Sequence, residues 1–159
     1  MTTMTLQERV ARFYFDYADA LNQGKYAEWP DFFDLDECDY RIVSRENHDA
    51  GLPAPLMGCY THGMVKDRVA MLIDEALTYR HMYFRHYITN VRVVECPDGG
   101  IDACANLLVM QCDQEGNAST YMVGRYEDKL VLREGPFKLR KRLVIVDSFS
   151  IDTALAVPL

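Results

Sequence analysis

Metal-binding and nucleophilic motifs are scarce in this chain. Four histidines and five cysteines occur in 159 residues, and the cysteines include no CxxC pair. Five is an odd number, so a disulfide framework fits poorly and the free thiols of a reduced compartment fit better. Cys59-Tyr60-Thr61-His62 has a CxxH spacing. The CxH that would complete a two-iron cluster held by two cysteines and two histidines is missing. A non-haem iron site needs two histidines and a carboxylate around an open position. His81 and His86 are five apart, which on one strand sends them to opposite faces. A nucleophile elbow, a P-loop and a dinucleotide fingerprint are all absent.

Positive charge and long apolar runs are lacking too. Lysine and arginine number 17 against 24 acidic residues, for a formal charge of -7. Nucleic acid and anionic membrane surfaces both call for a basic footprint, so neither is expected as a partner. No run approaches the ~18 apolar residues of a spanning helix. The opening MTTMTLQERV has no apolar signal-peptide core, so a cytoplasmic location is expected.

What is present is globular in character. Hydrophobic residues make up 49 % and charged residues 26 %, which excludes wholesale disorder. The length suits one domain, residues 1–159, with its own core.

Thr5-Leu6-Gln7-Glu8 matches a capping box. Leu6, Val10, Phe13, Tyr14, Tyr17, Ala18 and Leu21 then recur at helical spacing as one apolar stripe, and Asn22-Gln23-Gly24 ends the helix. A short second helix holding Tyr26, Trp29, Phe32 and Phe33, with Pro30 near its start or at a kink, is expected to plug one end of the core. Asp39–Ser44 reads as a brief strand. Arg45–Thr61, with Gly51, Pro53, Pro55 and Gly58, reads as a mostly irregular excursion of the kind that is functional or docked. Helical spacing returns over Met64–Leu77, through Val65, Val69, Met71, Leu72 and Ala76.

The second half reads as sheet. Turn signals at Pro97–Gly100, Gln114–Asn117 and Glu134–Pro136 separate Tyr83–Glu95, Ile101–Cys112, Ser119–Leu132 and Phe137–Phe149. Such short connections force antiparallel neighbours. The stretch YRHMYFRHYITNVRVVE, Tyr79–Glu95, organises the sheet. Its apolar parity changes after Thr89 and Asn90, which predicts a bulge or strong bend. Ile101–Cys112 is apolar on both parities, as in a strand covered on both sides. Cys104 and Cys112 fall within it, where a free cysteine behaves as a small buried hydrophobe. In the last run Phe137, Leu139, Leu143 and Ile145 share one face and Lys138, Arg140 and Arg142 the other. Glu127 and Asp128 on the preceding strand can pair with this basic row and with Lys141, as a cross-strand ladder or a subunit interface.

Helices first and a long-stranded meander afterwards predict an α+β fold. Such a curved sheet can enclose a pocket, in which His86 with Tyr14, Tyr17 or Asp16 would form an acid–base dyad. A stand-alone isomerase or dehydratase, or a homodimeric small-ligand-binding module, are the corresponding readings. Against them stands Ile151–Leu159, IDTALAVPL, apolar to its last residue. That segment either completes the protein's own sheet or packs on a partner, and it favours an interaction protein.

Arg85-His86-Tyr87-Ile88-Thr89-Asn90-Val91 resembles the RH-x-[IV]-TN-V run of the small (beta) subunits of aromatic-ring-hydroxylating dioxygenases. Trp29–Phe33 (WPxFF), Tyr40-Arg41-Ile42 and Leu139–Asp147 (LRKRLVIVD) are similar to that family in the same order. Asn47-His48-Asp49 with Gly51-Leu52, and the ending Asp152–Leu159, resemble the branch acting on aromatic acids, which includes terephthalate dioxygenase and salicylate 5-hydroxylase small subunits. The resemblance implies a cystatin-like cone of the nuclear transport factor two kind: a long, curved, mixed but largely antiparallel sheet around N-terminal helices, shared with scytalone dehydratase and ketosteroid isomerase. It also implies a structural subunit with no catalytic, cofactor or metal-binding residue on this chain. A partner large (alpha) subunit would carry a Rieske [2Fe-2S] cluster and mononuclear Fe(II) in a three-plus-three hexamer, served by NAD(P)H through a reductase and a ferredoxin. His48, Asp49, Arg85, Asn90 and Asp152 are the expected subunit contacts.

Overall fold

The computed structural model describes residues 3–73, 81–148, 150–151 and 155–159. Helix α1 spans Leu6–Asn22. Its capping box is present: Glu8 N–H donates to Thr5 Oγ1 at 3.2 Å and Thr5 N–H to Glu8 Oε2 at 2.8 Å. The predicted stripe faces inward, with Val10, Phe13, Tyr14, Tyr17, Ala18 and Leu21 buried. The helix ends where Gly24 takes a φ of 68°, a left-handed conformation that glycine adopts without a Cβ penalty. The second aromatic segment is a 3-10 helix, Tyr26–Phe32, with Pro30 inside it rather than at its start. Trp29 and Phe33 are fully buried and stack edge-on against each other and Tyr40, which makes the expected plug.

Strand β1, Asp39–Ser44, has the expected bounds. The excursion after it carries more structure than its Gly and Pro content predicts. Ser44 caps a short helix α2, Arg45–Asp49, by accepting from Asn47 N–H at 3.2 Å. Strand β2, Met57–Cys59, then returns antiparallel to β1, with Cys59 opposite Tyr40. Helix α3 spans His62–Ile73 and buries only Val65 and Val69. Met71 is exposed there, unlike the sequence expectation, and the rest of that predicted helix lies outside the described residues.

The sheet is completed by β3 (Tyr83–Glu95), β4 (Ile101–Cys112), β5 (Ala118–Leu132) and β6 (Phe137–Val146), in the order β2-β1-β6-β5-β4-β3. Among the described strands β1 and β6 pair parallel, and the four-strand meander is antiparallel, as its turns require. Among the described residues three bulges bend it. One lies in β3 between Thr89 and Arg92, where Asn90 has a φ of 55°, at the predicted change of parity. A second sets Tyr121 of β5 as the extra residue between Met122 and Thr120, and a third sets Arg140 of β6 between Leu139 and Lys141.

The third bulge overturns the face assignment of β6. An extra residue shifts the side-chain phase by one, so Phe137 and Leu139 point inward, and after Arg140 it is Arg142, Val144 and Val146 that do. Leu143 moves to the outer side with Lys141. Strand β4 also departs from expectation, because the helices lie on one side of it only. Ile101, Ala103, Ala105, Leu107 and Val109 are buried, whereas Asp102, Cys104 and Asn106 are exposed. Cys104 is therefore a surface thiol and Cys112 half-buried, while Cys38 and Cys59 are the buried ones.

Candidate functional site

The inside of the cone is polar at its centre. Arg142 has no exposed surface and donates to Asp128 through Nη2 at 2.6 Å and Nε at 3.1 Å. Its guanidinium carbon sits 3.7, 4.2 and 5.1 Å from the ring centroids of Tyr126, Tyr17 and Tyr14. A cation enclosed by ring faces and one carboxylate is the arrangement that makes a buried charge tolerable. Tyr14 donates to the same Asp128 Oδ2 at 2.5 Å. Burial raises the tyrosine's pKa well above the ordinary value, and the Asp128 charge adds to the rise. Burial alone would lower the pKa of Arg142, but Asp128 and the surrounding tyrosines hold it well above its usual value.

The expected ladder is thus only partly a ladder. Arg142 pairs with Asp128 across β5 and β6, but inside the cone. Arg140 turns to Asp34 at 3.3 Å and Glu37 at 3.8 Å, and Glu127 pairs with Arg125 of its own strand at 3.2 Å.

His86 belongs to no dyad. Tyr14 is committed to Asp128, Tyr17 faces the closing segment, and Asp16 lies on the exposed side of α1. Asn22 Oδ1 accepts the His86 backbone N–H at 2.7 Å and lies 2.9 Å from Nδ1. Since that oxygen is fixed as an acceptor, Nδ1 carries the ring proton. Nε2 lies 3.4 Å from the Pro158 carbonyl oxygen. Burial pushes the His86 pKa down to about 4; the Pro158 carbonyl opposes the fall and the Arg142 charge adds to it.

The mouth of the cone is filled by the chain itself. Val157, Pro158 and Leu159 are buried, and Leu159 completely so. Trp29 Nε1 donates to Tyr17 Oη at 2.9 Å, and Tyr17 donates to the Leu159 carbonyl oxygen at 2.8 Å. The apolar ending therefore packs on its own core rather than standing free for a partner. It also occupies the space an acid–base pocket would need.

The CxxH residues do not suit a cluster. Cys59 Sγ faces the Met64 carbonyl at 3.7 Å, and His62 Nε2 meets the Pro30 carbonyl at 3.0 Å. His81 stacks on Tyr83, with ring centroids 4.8 Å apart. Among the described residues, no group of three or more histidines, cysteines or acidic residues is placed to hold a metal ion.

The outer face of the sheet is open instead. Tyr87 of β3, Leu108 of β4 and Val123 of β5 follow one another across the strands, and Tyr87 is 50 % exposed. A cleft of about 570 Å³ runs over them from Arg45, at the start of α2, to Thr89. Arg85 and Asn90 are exposed on β3 on either side of Tyr87 and Thr89. His48 and Asp49 lie one turn beyond Arg45, with their side chains 3.2 Å apart. Of the expected contact residues, Arg85 and Asn90 are thus exposed on β3 and His48 and Asp49 lie on α2, while Asp152 lies outside the described residues. The row Tyr87, Leu108, Val123 is not legible in the sequence, although the alternation of Asp102, Cys104 and Asn106 with apolar residues marks the same outer face of β4.

Comparison with known proteins decides the family. The model of the ring hydroxylating beta subunit matches residues 16–153. The chain belongs to this family. As a ring-hydroxylating beta subunit it is 32 % identical to the anthranilate 1,2-dioxygenase small subunit of Burkholderia cepacia, over 90 % of this chain and 88 % of that one. It is 28 % identical to a terephthalate 1,2-dioxygenase beta subunit from Comamonas, over 95 % and 97 %. Among solved structures, the beta subunit of a provisionally assigned aromatic-ring-hydroxylating dioxygenase from Novosphingobium aromaticivorans superposes with a TM-score of 0.86 at 31 % identity, covering 96 % of each chain. Naphthalene 1,2-dioxygenase shares the fold, with a TM-score of 0.77 at 22 % identity over 100 % of this chain and 88 % of that one. The beta subunit is thus the non-catalytic part of an oxidoreductase, and the family implies an alpha-subunit partner. The expected α+β cone is the observed one: an unclosed, mixed six-strand sheet over helices.

Proposed function

We propose that this chain, as one domain over residues 1–159, is the structural small subunit of a cytoplasmic terminal oxygenase acting on an aromatic carboxylate, and that catalysis resides in the large subunit. The observation that carries the substrate class is the likeness, over nine-tenths of the chain, to the small subunit of an enzyme named for anthranilate, supported by the terephthalate relatives. Both named substrates are aromatic carboxylates. The interior supports the scaffold role, because the chain's own Leu159 fills the cone where a substrate would sit. In this reading three small and three large subunits assemble. The large one holds the Rieske cluster and the mononuclear iron, and electrons arrive from NAD(P)H through a reductase and a ferredoxin. The outer face of the sheet, bordered by His48, Asp49, Arg85 and Asn90, meets the neighbouring subunits, as does Asp152.

The test is co-purification with the large subunit, followed by native mass, iron content and turnover of anthranilate, terephthalate and salicylate beside naphthalene. A mixed hexamer with iron in the large chain and turnover of the carboxylates alone is expected. An iron-free homodimer that turns over substrate unaided would end the reading. Tyr87→Asp and Leu108→Asp are expected to leave the small subunit folded but unassembled. Assembly and turnover unchanged by alanine at His48, Asp49, Arg85, Asn90 and Asp152 would remove those residues from the interface.

A further inference from the structure

Leu155–Leu159 joins no strand of the sheet and is held by side chains from four separate elements. Arg68 of α3 donates to the Leu155 carbonyl oxygen, and His86 of β3 faces that of Pro158. Tyr17 of α1 donates to the Leu159 carbonyl oxygen. Tyr40 of β1 brackets the same residue: its hydroxyl accepts the Leu159 N–H at 3.0 Å and lies 3.4 Å from the Leu159 carbonyl oxygen. All of these bonds go to main-chain atoms of the segment. Its side chains contribute the burial of Val157, Pro158 and Leu159 and the packing of Leu155 against the core, with Leu155, Val157 and Leu159 at alternate positions. Pro158 biases Val157 toward extended backbone. Main-chain hydrogen bonds with pockets for alternate side chains are how proteins bind extended peptides.

We propose that the mouth of the cone is a peptide-binding site, occupied here in cis by Leu155–Leu159, and that this segment leaves and re-seats without the sheet unfolding. Its ligand class is a short extended peptide with branched apolar side chains two positions apart. Because no ladder hydrogen bond is lost when the segment departs, every β-pairing survives, and the hydrogen-bonding groups stay in place on α1, α3 and β1. A tethered ligand has an effective concentration on the order of millimolar, so an added peptide competes only when the cis contact is weakened.

Fluorescence polarisation with a labelled peptide of residues 150–159 tests this on the full chain. Leu159→Ala should bind the peptide at least tenfold more tightly than the unaltered chain. Adding Tyr40→Phe, or using a peptide that carries Leu159→Ala, should weaken binding at least tenfold. Equal affinity for the two chains, or no binding to a folded Leu159→Ala chain, overturns the proposal. Hydrogen exchange on the unaltered chain is independent of any variant's folding. The Leu159 amide should exchange at least a hundredfold faster than the amides of β4, and exchange only at the rate of global unfolding would equally overturn it.

Discussion

Arg142 Nη2 lies 2.6 Å from Asp128 Oδ2, and neither side chain has any exposed surface. The pair stands at the centre of the cone because the extra residue Arg140 turns β6 by one position just before it. Two opposite charges taken out of water are tolerable only with each other and with further hydrogen bonds. Here Tyr14 supplies one such bond, and three ring faces surround the cation.

Asp128→Ala should therefore cost about 3–5 kcal/mol in urea unfolding, since it strands a buried guanidinium and removes the acceptor of Tyr14. The double variant Asp128→Leu with Arg142→Met should lose far less than Asp128→Ala alone. A single variant losing under about 1 kcal/mol would mean that the pair is not desolvated as described.

Stability should fall with acidification through His86. The unfolded imidazole takes a proton near pH 6.5, while the folded one resists until about pH 4. Between those values the unfolded state binds more protons, so stability is fully present above pH 6.5 and is lost as pH falls, by about 3 kcal/mol in all. The check is the urea midpoint at pH 7 and at pH 4.5 for the native chain and His86→Gln. Carboxylates act alike in both, so the native chain should show the larger drop. Parallel drops would refute the assignment.

Backbone packing between β5 and β6 should tolerate no side chain at Gly124. A Cβ there would lie 2.2 Å from the Ile145 carbonyl oxygen, so the strands must separate. Gly124→Ala should lower stability by roughly 1–3 kcal/mol, read as a fall in Tm. At Asn90, with its φ of 55°, glycine should be accepted, while valine should cost about 1–2 kcal/mol. Equal melting of the two Asn90 variants would count against the bulge.

Thiol reactivity should follow exposure rather than hydropathy. Cys104 stands on the open face of β4, whereas burial pushes the Cys38 thiol up to about 12 and that of Cys59 up as well. Alkylation at pH 8 followed by peptide mass spectrometry should find Cys104 modified first, with Cys38 and Cys59 modified only on unfolding. Early labelling of Cys38 would contradict its burial just ahead of β1.

Local patterns in the chain carried much of this fold. The capping box at Thr5, the turn signals and the parity change beside Asn90 are each decided by a few neighbouring residues, and all appear where expected. The motif RHYITNV likewise led to the family. Side-chain parity failed where a bulge gave no composition signal. Arg140 opens a run of three basic residues, Arg140-Lys141-Arg142, and only pairing with β5 reveals which of them is the extra one. The helix α2 is hidden because its cap, Ser44, is also the last residue of strand β1.

The amino-acid sequence by itself determined most of the elements, though not α2 and β2, together with the antiparallel order of the meander and membership of the beta-subunit family, because these depend on local preferences and short connections. Tertiary structure alone decided three things: that Arg142 faces inward to Asp128, that His86 serves Asn22 and the closing segment instead of a dyad, and that Leu159 fills the cone. The last two join residues far apart in the chain, and the first depends on the register of β5 against β6, which no single segment encodes. The physical reason is that burial and charge pairing are properties of the assembled interior, whereas periodicity belongs to one strand or helix at a time.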